Sequence, residues 1–114
     1  MNLDDFIQKL TTAPESINFS DTMAVIDIHY DFTPTSFTNG NIINAQNQNN
    51  GSCKIFAFGL INNLSEAQTL ACFGDYYRQD VLHHPTADDH HNIRHFMQSG
   101  WAGIHFESEA LTAK

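Results

Sequence analysis

Ser65-Glu66-Ala67-Gln68 constrains this chain more than any other four residues. A serine followed three positions later by glutamine starts a helix, because each side chain satisfies a backbone N–H that the first turn leaves free. Leu70, Phe73, Gly74, Tyr77 and Val81 then fall on one face as far as Leu82, and Pro85 ends the segment. A helix over Ser65 to Leu82 with so broad an apolar stripe must pack on something, since short helices draw their stability from tertiary contact.

The rest of the chain offers partners. Leu3, Phe6, Ile7 and Leu10 form the stripe of a first helix, capped by Asn2 and closed behind by Pro14. A second helix is expected after Ser20, with Asp21 at the positive end of its dipole, Met23, Ile26 and Tyr30 along one face, and Val25 and Ile28 widening it. Pro34 disfavours helical geometry before it, so this helix should finish near His29 to Asp31. Asn39-Gly40, between Ser36-Phe37-Thr38 and Ile42-Ile43, is a hairpin signal because both residues tolerate positive φ. Asn44 to Asn50 reads as an exposed loop.

Cys53 to Ile61 is almost wholly apolar, and periodicity does not separate a buried strand from a buried helix there. Ser52 as a cap and Asn62-Asn63 as a stop favour the helix. Asp88 or Asp89 should cap a last helix with Ile93, Phe96 and Met97 on its apolar face and Gly100 at its end. Trp101 to Glu107 suits an extended segment with Ile104 and Phe106 on one side. The expected fold is a single α+β domain over residues 1–114, mostly α, with about five helices, one β-hairpin and a short C-terminal extended segment.

Nine Phe, three Tyr and one Trp supply core material, which argues against disorder. The net charge of −8 arises from thirteen acidic residues against five scattered cations, Lys9, Lys54, Arg78, Arg94 and Lys114. With no basic stripe, neither nucleic acid nor an anionic membrane is an expected partner. Met1-Asn2-Leu3-Asp4-Asp5 lacks the basic head and apolar stretch of a secretory signal, so a soluble, cytoplasmic protein is expected. Cys53 and Cys72 should then be free thiols.

Three constellations bear on chemistry. Five of the seven histidines lie between His83 and His95; His91 and His95 share a helical face, with Asp88 one turn earlier, in the spacing of a metal-ligand set. The same residues suit a solvated helix start, and no HExxH pattern sharpens the signal, so neither a structural metal nor a cofactor is expected. Cys53, at a helix start and beside Lys54, is the candidate nucleophile, with His91, His95 or His105 as its base. A small buried thiol with a structural role is the favoured reading of that position, and Cys72 among Leu70, Ala71 and Phe73 reads as core. Finally, His29, Asp31, Tyr76, Arg78 and Trp101 are the candidate lining of a polar, aromatic cleft, where Arg78 and Arg94 would pair carboxylates or hold an anionic ligand.

Several dense words run through the chain: His29-Tyr30-Asp31-Phe32-Thr33-Pro34, Asn49-Asn50-Gly51-Ser52-Cys53-Lys54-Ile55-Phe56-Ala57-Phe58, Cys72-Phe73-Gly74-Asp75-Tyr76-Tyr77-Arg78, Asn92-Ile93-Arg94-His95-Phe96 and Gly100-Trp101-Ala102-Gly103-Ile104. Over roughly residues 2 to 107 the chain resembles the HopJ type III effector protein family. The resemblance implies a small domain and brings no established reaction. The leading expectation is a binding or interaction module that takes a small ligand or a protein partner. The alternatives are a Cys- or metal-dependent hydrolase, and an effector secreted into a host. Acidic Asp4 and Asp5 do not favour a type III secretion signal.

Overall fold

Asn2 opens the described chain, residues 2–114 of a computed structural model, by accepting a 2.8 Å bond from the Asp5 N–H. Helix α1 (Leu3–Thr12) buries Phe6 and Leu10 as its stripe requires, and Pro14–Ser16 turns the chain through one 3₁₀ turn. Helix α2 (Phe19–His29) starts one residue before the expected Ser20 cap. Asn18 caps it instead, in a reciprocal box with Asp21 that satisfies both ends of the first turn. Its buried face is Thr22, Val25 and Ile26; Ile28 points to solvent, and Tyr30 is buried from strand β1 (Tyr30–Phe32) rather than from the helix.

The hairpin is formed by β2 (Phe37–Asn39) and β3 (Ile42–Asn44), with Asn39 paired to Ile42. Its turn is therefore Gly40-Asn41, one residue later than the Asn39-Gly40 expectation. Gly40 takes φ +58 at the first central position, where a two-residue hairpin needs it, and frees Asn39 to continue the strand. Strand alternation then turns Asn39 to the same side as Phe37, and both are buried.

Helix α3 (Asn50–Ile61) resolves the apolar run as a helix and buries Cys53 and every residue from Ile55 to Gly59. Asn49, in the left-handed region, precedes it, so Ser52 lies in the first turn and not at the cap. Asn62 ends it as expected.

The stripe after Ser65 departs most from the single expected helix. Ser65 and Gln68 do form the reciprocal cap, but α4 (Glu66–Ala71) stops after two turns. Gly74 takes φ +62, and a Cβ there would lie 2.6 Å from the Phe19 amide nitrogen and 2.9 Å from the Asn18 Cα. The break therefore lets the chain pass against the start of α2, which no helical residue with a side chain would allow. The segment resumes as a π-turn, Tyr76–Val81, where the Leu82 N–H reaches the Tyr77 carbonyl at 3.0 Å.

Helix α5 (His91–Ser99) is not capped by Asp88 or Asp89. His90 precedes it at φ +49, while Asp89 is held by Arg94. Asn92 joins Ile93 and Phe96 on the buried face, and Met97 is exposed. A 3₁₀ turn, Gly100–Gly103, leads to β4 (Ile104–Phe106), which pairs with β2, so the order is β3-β2-β4. Strand β5 (Leu111–Ala113) pairs with β1, and all pairs are antiparallel. The fold is thus α+β and mostly helical. Phe56 sits at its centre, with the rings of Phe37, Phe73, Phe96 and Trp101 all within 6.4 Å of its own. No described helix is long and apolar enough to cross a membrane.

Candidate functional site

A cleft of about 580 Å³ opens where the hairpin, the starts of α2, α3 and α5, and the π-turn come together. Its floor is built of asparagines. Asn44 and Asn92 exchange amide hydrogen bonds, Nδ2 to Oδ1 at 3.1 and 3.0 Å in the two directions. Asn39 donates to the Asn92 carbonyl at 2.8 Å and to its Oδ1 at 3.1 Å, and Asn49 donates to Asn44 Oδ1 at 2.8 Å. Asn39, Asn44 and Asn92 are buried, so these bonds replace water that the amides have lost. They also fix the hairpin to α5. Asn39 Oδ1 is buried with no partner among the described residues.

One wall is aromatic. Phe19 meets Tyr76 edge-on with ring centroids 5.1 Å apart, and Tyr76 packs at the same distance against His90. His90 Nε2 lies 2.9 Å from Asp80 Oδ2. The loop that delivers His90 is stapled by Arg94, which donates to the Asp89 carbonyl and carboxylate at 2.6 and 2.7 Å and to the His84 carbonyl at 2.9 Å. That bond with Arg94 holds the Asp89 carboxyl below its ordinary range.

The five residues expected to share a cleft occupy different places. Tyr76 lines this one. Arg78 spends its guanidinium on the carbonyls of Pro14, at 3.3 Å, and Ile17, with Asp75 at 3.5 Å, and so anchors the turn before α2. Trp101 packs on Phe56 and Phe96, donates to the Leu64 carbonyl at 3.0 Å, and borders a separate depression of about 220 Å³. His29 and Asp31 lie at the junction of α2 and β1, where Asp31 is exposed and His29 Nε2 is buried without a partner among the described residues.

Cys53 is only 1% exposed, and its Sγ lies 3.8 Å from the Thr35 carbonyl. Burial pushes this thiol up and outweighs the pull toward thiolate that a helix start alone would exert. Lys54 does not assist it, because its ammonium pairs with Asp27 at 2.8 Å and sits over the Phe32 ring. Burial pushes the Cys72 thiol up to about 12. Asp88, His91 and His95 border a second cleft of about 530 Å³, yet among the described residues no three His, Cys, Asp or Glu side chains converge as a metal set. His91 and His95 line both clefts and form the ridge between them.

Spacing alone missed Asn39, Asn44, Asp80 and His90. Strand alternation carried a signal for Asn39, which follows Phe37 by two residues; Asp80 and His90 meet only because the intervening loop folds back.

Comparison with curated protein sequences gives no match. A crystal structure of VPA0580, described as a protein of unknown function, is 61% identical, covers 100% of this chain and 95% of its own, and superposes with a TM-score of 0.98. The description of the family that matches residues 3–111 is HopJ type III effector protein. With nearly the whole chain matched, the protein belongs to the HopJ type III effector protein family.

Proposed function

We propose that the protein is a binding module whose cleft between hairpin, π-turn and α5 takes a small ligand bearing a planar group and an amide-like polar edge. The observation that carries this reading is the pairing of an aromatic wall, Phe19, Tyr76 and His90, with a floor of asparagine amides. Aromatic faces hold planar groups by stacking or edge contact, and the exposed Asn49 carboxamide, held by the buried amides beneath it, offers an acceptor beside its donor. The described lining includes no Lys or Arg, which disfavours a phosphate or carboxylate as the main determinant. Buried thiols with raised pKa weaken the cysteine-hydrolase alternative.

A fragment panel of heteroaromatic amides, sugars and organic phosphates, read by amide chemical shifts, tests the proposal. The heteroaromatic amides should move Asn49, Tyr76, His90 and Asn92, and Tyr76→Ala should abolish the effect. Responses dominated by phosphates, or gathered in the apolar groove between Ala57 and Leu111, would place recognition elsewhere.

A further inference from the structure

Two departures from regular backbone meet at one side chain. His90 occupies the left-handed region at φ +49, which is unfavourable for a residue with a Cβ. Opposite it, the wide π-turn carries Tyr76 and Asp80 four residues apart, and both reach His90. The Tyr76 ring lies 5.1 Å from the imidazole at an interplanar angle of 40°, and Asp80 Oδ2 lies 2.9 Å from Nε2. A carboxylate anion only accepts hydrogen bonds, so with Asp80 in that form Nε2 would carry the hydrogen and a neutral imidazole would keep its lone pair on Nδ1. Nδ1 makes no bond to protein among the described residues, and His90 is part of the cleft lining.

We infer that His90, oriented by Asp80, accepts a proton from a weakly acidic hydroxyl or ring N–H of the ligand in this cleft. The ligand's X–H bond breaks, its electron pair stays on X, and the proton passes to Nδ1. The resulting imidazolium keeps its Nε2–H on Asp80, where the bond becomes charge-assisted. Asp80 is a positioning residue. Other titratable groups face the ring: Tyr76 from the π-turn, Asp89 at 3.9 Å from the preceding loop, and His91 and His95 from α5 across the same cleft. Asp89 is engaged by Arg94, which leaves Asp80 as the closer carboxylate.

The inference rests on the binding reading above, and two measurements separate their failures. Nitrogen-15 NMR of the free protein should show neutral His90 as the Nε2–H tautomer; Asp80→Asn should mix the tautomers and Asp80→Glu should restore the single one. p-Nitrophenol, added below its own pKa, should then bind as the coloured phenolate with the Asn92 shift reporting binding, and Asp80→Asn should cut the colour while that shift persists. An Nδ1–H tautomer, or a probe that binds without ionising, overturns the proton role and leaves the cleft intact. A probe that does not bind overturns the cleft reading and the proton role together.

Discussion

The surroundings of Phe56 are wholly apolar, whereas the cleft mixes rings with amides and imidazoles. Around Phe56, the buried residues of α3 meet Phe37, Phe73, Phe96 and Trp101 in ring-on-ring contact, and the helix is uninterrupted. Around the cleft, the backbone is irregular, with a π-turn on one side and left-handed Asn49 and His90 before two helices. Its lining sets asparagine amides and imidazoles beside the rings of Phe19 and Tyr76. Regular, apolar packing stabilises a small domain, whereas strained backbone and polar clusters persist where a site needs its groups held in one place. On the proposed reading, the difference teaches that stability and recognition are assigned to different regions, with the asparagine floor joining them.

That comparison is broken most easily in the interior. Phe56→Ala should cost about 3–5 kcal/mol, the usual range for removing a buried aromatic ring, measured by urea denaturation. A loss under about 1 kcal/mol, smaller than almost any buried Phe truncation, would show that the Phe56 cluster does not anchor the fold. Asn92→Ala should follow at about 1–3 kcal/mol, because Asn39 and Asn44 would keep buried amides without their partner. This sharpens the comparison, since it makes the cleft floor structural while the wall is not. A neutral Asn92→Ala would mean that water replaces the amide at no cost.

The thiols give a smaller, pH-dependent effect. Cys72 has a folded pKa raised from 9.0 to about 12, so the folded state favours the protonated thiol. Its contribution is complete below 9.0 and is lost as pH rises towards about 12, where the unfolded chain gains by ionising. Cys72→Ala should therefore flatten the alkaline limb of the stability curve. Alkylation of native Cys53 and Cys72 at neutral pH should be slow and should quicken only with unfolding; rapid labelling of Cys53 would reinstate it as a nucleophile.

The smallest effect lies on the acid side. Asp89 has its carboxyl held down chiefly by Arg94, so the contribution of this contact is present above the ordinary carboxylate range and fades as pH falls through the lowered value. Arg94→Met should remove that pH dependence and loosen the loop from His84 to Asp89, seen as faster amide exchange there. Unchanged exchange would show that the loop holds its shape without the staple.

What the sequence revealed and what it hid follow from the range of the forces involved. The Ser65–Gln68 cap, the α1 stripe, the end of α3 at Asn62 and the pairing of a hairpin around Gly40 are local, and each was legible. The break at Gly74 was not, because its cause is the backbone of Asn18 and Phe19, far away in sequence. Strands β1 and β5 escaped for the same reason, each being three residues long and defined only by the other. At the site, Tyr76 was named from its aromatic and polar setting. Histidine spacing drew attention to His91 and His95, while His90 meets Asp80 only across a loop.

The central claim is that the rim residues serve recognition and not stability, and His90→Gly tests it most directly. Glycine accepts the left-handed backbone without penalty and removes the imidazole, so relief of roughly 1–2 kcal/mol of strain should offset the lost bond to Asp80. The account predicts a melting temperature equal to the parent's or slightly higher, together with loss of fragment-induced shifts at Tyr76 and Asn92. A fall in melting temperature comparable to that of Asn92→Ala, with fragment binding retained, would contradict it and make His90 a structural residue.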